Sequence, residues 1–156
     1  MNVLAGNDKG WEISENGYPL LEDLQITTTF IDQLVYFSIR LTALIKLTLT
    51  NIKATGLADV VGFDAPNLRY LECDFHRVGG GSFVYSAQIR EIKVHQFSGS
   101  ESDLEFVRRI LQQSAMLKSV SLTAAPDGMA EGWPYSVTEK LINFSRCTRK
   151  CELELN

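Results

Sequence analysis

One pattern recurs along this chain and restricts what it can fold into: apolar-x-x-apolar-x-apolar. It reads LEDLQI from Leu21, LIKLTL from Leu44, LRYLEC from Leu68, IREIKV from Ile89 and LKSVSL from Leu117. The starts lie 23, 24, 21 and 28 residues apart, and a partial sixth copy, CELEL, carries Leu153 and Leu155 in its last two apolar slots. The alternation within each copy is that of a strand with one buried face, because successive strand side chains point to opposite sides. One copy is too thin to bury its own apolar side, so neighbouring copies must stack.

Segments with helical character lie between the copies. SDLEFVRRILQQSAM offers a capping box at Ser102 and Glu105, then Leu104, Val107, Ile110 and Leu111 at helical spacing, with Phe106 beside them. SVTEKLINFSR repeats the device with Ser136 and Glu139, followed by an apolar stripe of Val137, Leu141 and Phe144. TFIDQLVYFSI (29–39) predicts a weaker third helix, its Thr and Val content leaving it ambiguous, and GLADVVG (56–62) predicts about one turn. VGGGS (78–82) and APDGMAEGWP (125–134) read as loops. The former lacks the Gly-Lys-Ser/Thr and the helix that a phosphate-binding loop needs. Strands alternating with helices imply a parallel sheet backed by helices. The expected fold is therefore α/β: an irregular leucine-rich-repeat solenoid, with a parallel sheet on the concave side and helices on the convex side. It is irregular because regular repeats place asparagine eight positions after the first leucine. Thr29, Ile52, His76, Phe97 and Ala125 stand there instead.

Composition narrows the function. With 156 residues, 45% hydrophobic and 22% charged, the chain suits one packed domain or one piece of a larger one. A net charge of −4 and a pI near 5.2 give no basic footprint for nucleic acid. The short run Arg146, Arg149, Lys150 reads as a solvated helix end. No apolar run approaches the ~18 residues of a membrane span, and the N-terminus lacks the basic start and apolar core of a signal peptide. Three cysteines, an odd number with no dense framework, fit a reduced intracellular setting, cytoplasm or nucleus.

Catalytic chemistry finds little support. The only histidines are His76 and His95, and no G-x-S-x-G nucleophile elbow is present. Cys73 and His76, with Cys147 and Cys151, are zinc-ligand types, but Cys-x3-Cys at a helix-to-strand join is not a standard knuckle. No catalytic residue, cofactor or metal is expected. Cys73 fills the third inward slot of its copy and reads as a core thiol. His76, at the asparagine position, reads as a donor to a neighbouring backbone carbonyl.

APNLRYLECDF (65–75) resembles a repeat unit from plant F-box proteins with C-terminal leucine-rich repeats. IREIKVHQFSGSESDLEFVRRILQQSAMLKSVSL, followed by LINFSRCTRKCELEL, resembles the FBD domain that closes such proteins. The shared features are a strand, an F-x-G turn (Phe97, Gly99) and an acidic-start helix before the next strand. A Ser/Arg/Cys-containing helix end then runs into a last strand. On this resemblance residues 1–17 are an N-terminal segment of unclear structure, 18–86 leucine-rich repeats, and 87–156 FBD-like repeats and cap. It implies a non-catalytic protein-interaction module, similar to the substrate-recognition part of a ubiquitin-ligase subunit, with an unknown target protein. The alternative is a stand-alone or decoy interaction domain with no role in ubiquitylation. No L-P-x-x-x-L opening of an F-box stands near Met1. A Skp-type adaptor is therefore an expected partner only if an F-box lies upstream.

The residues between the apolar slots face outward and form three columns. They are Asp23, Lys46, Tyr70, Glu91, Ser119; Gln25, Thr48, Glu72, Lys93, Ser121; and Thr27, Thr50, Asp74, His95, Thr123. The candidate protein-binding residues are Tyr70, Glu72, Asp74, Lys46, Thr48, Glu91, Lys93 and His95. Tyr70 is the expected anchor, since exposed aromatics often dominate interfaces. His95 is the column member able to titrate near neutrality, and a lone exposed histidine reads as incidental. Arg108 and Arg109 read as the solvated side of a helix.

Overall fold

The computed structural model of the chain describes residues 10–27, 36–50, 61–74, 88–126, 133–146 and 151–156. Six strands form one sheet: β2 (Asp23–Thr27), β4 (Lys46–Thr50), β6 (Tyr70–Asp74), β7 (Glu91–Phe97), β8 (Ser119–Ala124) and β9 (Glu152–Leu155). They pair in chain order, and every pairing is parallel. Leu24, Leu47, Leu71, Ile92, Val120 and Leu153 stand opposite one another across the sheet. So do Ile26, Leu49, Cys73, Val94, Leu122 and Leu155. The first five of the former row and all but Cys73 and Leu155 of the latter are buried. A one-residue slip would turn a whole row of these side chains into water. Each contributes about 1.5–3 kcal/mol by burial, so the register is strongly specified.

A single turn precedes four of these strands. The N–H of Leu21, Leu44, Leu68 and Leu117 donates to the carbonyl three residues back, on Tyr18, Leu41, Ala65 and Ser114. One residue on, the carbonyls of Glu22, Ile45, Arg69 and Arg90 each accept two consecutive N–H groups from the next strand's entry, at 2.7–3.2 Å. Buried backbone groups must be paired, and here a repeated carbonyl does that without a side chain. At the strand exits, the Ala125 N–H donates to the Phe97 carbonyl at 3.0 Å, joining two positions where regular repeats carry asparagine. The other such positions, Thr29, Ile52 and His76, lie outside the described residues.

The layer behind the sheet departs from the expectation of helices throughout. In its first part it is a second parallel sheet of order β1 (Gly10–Ser14), β3 (Tyr36–Arg40), β5 (Val61–Asp64). The stretch 29–39 was expected as helix, yet Tyr36–Ile39 is strand. Its YFSI sequence is aromatic and β-branched, and Ile39 is buried between better-exposed Ser38 and Arg40. Val61 and Gly62, assigned to a helical turn, open β5; residues 29–35 and 56–60 lie outside the described part. β1 gives structure to part of the segment left open at 1–17. Ile13 and Ile39 join Leu24, Ile26, Leu44 and Leu47 in one buried cluster, so both sheets share a core.

Two helices take over that layer further on: α1 (Glu101–Gln113) and α2 (Tyr135–Arg146), packed against each other, with α2 also on β9. Leu104, Val107, Ile110 and Leu111 of α1 and Val137 and Leu141 of α2 are buried, as the helical spacing predicts. The caps differ from the expected boxes. The N-cap of α1 is Ser100, whose hydroxyl accepts from the Asp103 N–H at 3.3 Å, while Ser102 lies inside the first turn. Buried Asp103 accepts at 2.8 Å and 2.6 Å from the N–H and hydroxyl of Ser98. Glu105, the expected partner of Ser102, instead takes Arg108 and Arg109 at 2.8 and 3.0 Å. Ser136 also lies inside its helix: the first-turn N–H groups of Val137 and Thr138 donate to the Pro134 carbonyl. Of the loop 125–134, residues 127–132 lie outside the described part, as does all of 78–82.

Candidate functional site

The outward side of the six-stranded sheet is where the pairing gathers polar side chains. Three rows cross it. The first runs Asp23, Lys46, Tyr70, Glu91, Ser119, Glu152, and the second Gln25, Thr48, Glu72, Lys93, Ser121, Glu154. The third holds Thr27 beside Thr50 and Asp74 beside His95. The sequence columns are thus real neighbours for rows one and two. Both rows continue onto β9 through Glu152 and Glu154, which the column reading omitted, although the partial copy CELEL contained the signal.

Row three is interrupted by a bulge. The β7–β8 pairing passes from Val94–Leu122 to Phe97–Ala124, so β7 spends one residue more than β8. Gln96 takes that extra place with φ 61°, a left-handed conformation uncommon for a residue with a Cβ. The extra residue returns Phe97 to the core, where it is fully buried with its ring centroid 5.6 Å from that of Trp133. Thr123 consequently drops out of register with His95. Gly99, two residues on, has φ 73°, which suits the F-x-G turn into α1.

Direct contacts tie several face residues together. His95 Nε2 donates to Glu72 Oε1 at 2.8 Å across β6 and β7, each side chain about a third exposed (34% and 35%). The Thr27 and Thr50 hydroxyls are 3.0 Å apart, and Asn156 Nδ2 donates to the Ser121 hydroxyl at 2.9 Å. Lys46, Tyr70, Glu91 and Lys93 are exposed, Tyr70 at 37%. Glu72, Asp74 and His95 are half-buried. Thr48 is not available as expected: it is only 9% exposed. The short threonine stands between the longer Gln25 and Glu72 in its row, so the column position that looked open on paper is closed. His95 is likewise not a lone histidine.

The remaining chemical candidates fall away from this face or outside the described residues. Cys73 packs against the core, and burial, helped by the nearby Asp74 and Glu72 carboxylates, pushes its thiol up to about 12. A thiol held so firmly protonated is a poor nucleophile near neutral pH. Burial, then Glu152, also raises the Cys151 thiol. Among the described residues no three His, Cys, Asp or Glu side chains gather as a metal site; His76 and Cys147 lie outside them. Arg108 and Arg109 both engage Glu105 and hold its carboxyl down at about 2. No helix among the described residues is long and apolar enough to cross a membrane. Comparison with known proteins yields no family model, no curated protein and no solved structure that matches the chain.

Proposed function

We propose that this chain is a non-catalytic protein-interaction module whose binding surface is the outward face of the six-stranded sheet. In this reading the strands are the inner wall of an irregular leucine-rich-repeat solenoid. That face would be its concave side, and the module would be similar in role to the target-recognition part of a plant F-box ubiquitin-ligase subunit. One observation carries the reading: the parallel pairing aligns outward side chains from consecutive strands into continuous rows, with Tyr70 exposed among them. Such a face presents many side chains on a rigid scaffold, which suits protein recognition. Fixed backbone limits the ordering entropy lost on binding.

Affinity capture from plant extract tests it, comparing the wild-type chain with a Tyr70→Ala/Glu91→Ala variant of unchanged circular dichroism. A protein retained by the former and lost by the latter is the expected result. Identical captures would move the function off this face. Titration with a purified Skp-type adaptor tests the ligase connection separately, since direct binding would assign adaptor docking to this chain as well.

A further inference from the structure

The charge of the outward face says what kind of partner it fits. The three rows hold six carboxylates, Asp23, Glu72, Asp74, Glu91, Glu152 and Glu154, against two ammonium groups, Lys46 and Lys93. The chain has 19 acidic and 15 basic residues, so the other 13 acids and 13 bases cancel, and the net charge of −4 equals the excess on these rows. Within β6 to β9 the rows carry five of these carboxylates against Lys93, with Glu72 already accepting from His95, and the exposed ring of Tyr70 stands between Lys46 and Glu91. A basic border adjoins the rows at the strand entries, where Arg69, Arg90 and Lys118 each precede the first row by one residue.

We propose that the partner is a polypeptide segment rich in arginine, lying across β6 to β9 on this face. The inference rests on the face being the binding surface. Carboxylates a few strands apart, with strands spaced about 4.8 Å, meet cations presented every few residues of an extended chain at about 3.3 Å per residue. The charges pair across the interface, and the sign of the field speeds encounter. Arginine is favoured over lysine because its planar guanidinium binds carboxylates in two-point fashion and stacks on a tyrosine ring. The basic border sets a limit on that side: a cationic segment is repelled there, so the segment seats over the rows and not over the entries.

The test uses the full chain, 15N-labelled, with a fluorescent nona-arginine peptide, a nona-lysine peptide and a nona-glutamate peptide as probes. Nona-arginine is expected to bind, more tightly than nona-lysine, and to shift the amides of β6, β7, β8 and β9. Nona-glutamate is not. Raising NaCl from about 50 to 300 mM weakens binding by about tenfold, as screening of exposed charges requires. Glu72→Gln/Glu91→Gln/Glu152→Gln weakens it by about tenfold. Glu101→Gln/Glu105→Gln/Glu139→Gln, an equal change in net charge on the helices, leaves it within about twofold. Arg69→Gln strengthens it. Absence of nona-arginine binding overturns the proposal, and so do equal losses in the two triple variants, which would show a response to net charge alone. The face can survive that failure: a natural partner lost on the Tyr70→Ala/Glu91→Ala change but insensitive to salt keeps the binding surface and removes the basic partner. Amide shifts confined to α1 and α2 remove both.

Discussion

At the scale of single residues, Cys73 and Gln96 show how position on the strand grid sets chemistry. Cys73 stands opposite Leu49 and Val94 on the inward side, and its thiol is raised from about 9 to about 12. At pH 8 the thiolate fraction is then about a thousandfold below that of an ordinary thiol. Cys73 in a Cys147→Ser/Cys151→Ser background is expected to react with a disulfide reagent about a thousandfold more slowly in the folded chain than in urea. Comparable rates would remove Cys73 from the core. The same shift predicts a pH dependence of stability. The neutral thiol is the form the fold favours, so its contribution is complete below pH 9 and is lost as pH rises toward 12. Denaturant midpoints measured from pH 8 to 11 are expected to fall, and to fall less for Cys73→Ala. Gln96 makes the opposite point, because its strain lies in the backbone. Gln96→Val, with a branched Cβ at φ 61°, is expected to cost about 1–2 kcal/mol, whereas Gln96→Gly keeps or raises the midpoint.

At the scale of elements, the strands facing the core were legible because burial imposes a period of two. Leu24 and Ile26, Leu47 and Leu49, Ile92 and Val94 are all buried where the alternation puts them. The apolar stripes of α1 and α2 were legible for the same reason at period 3.6. Tyr36–Ile39 and Val61–Gly62 were not, since a short apolar run suits a strand or a helical turn alike until its neighbours are known; pairing of β3 with β1 and β5 decided it. The helix start was misplaced by two residues because GSESDLE holds two overlapping S-x-x-acid signals. Ser100–Asp103 prevails over Ser102–Glu105, for Asp103 is buried and held by Ser98 while Glu105 is drawn to two arginines. This makes the cap testable. Ser100→Ala is expected to cost about 1 kcal/mol by losing the N-cap acceptor. Asp103→Ala is expected to cost about 2 kcal/mol by leaving the Ser98 donors without their charged acceptor. Glu105→Gln, on a solvated surface, is expected to change thermal stability little.

At the scale of the whole molecule, the six-stranded sheet is linear in the chain: among the described residues each inner strand pairs with the strands before and after it in the order, and β2 and β9 are the edges. In a sheet paired in chain order, an edge strand has one hydrogen-bonded partner to lose where an inner strand has two. The two ends are not equal. Leu24 and Ile26 of β2 are 0% and 1% exposed, whereas Leu153 and Leu155 of β9 are only half-buried, with α2 packed beside them. Burial at about 25 cal/mol per Å2 of apolar surface therefore holds β2 more firmly than β9. Native-state hydrogen exchange is expected to rank the sheet accordingly. The amides of β6, β7 and β8 exchange by near-global opening, those of β2 somewhat faster, and those of β9 fastest. Ile92→Ala, in the middle, is expected to cost about 2–4 kcal/mol and to lower protection across the sheet. Leu153→Ala is expected to cost less and to lower it chiefly in β9 and α2. Equal protection in all six strands would mean that the molecule opens as one unit. A β9 that opens alone would release Glu152 and Glu154 from the face while leaving Tyr70, Glu72, Glu91 and Lys93 in place. Any binding at the outward face is then expected to lose only the part of its affinity that depends on those two carboxylates.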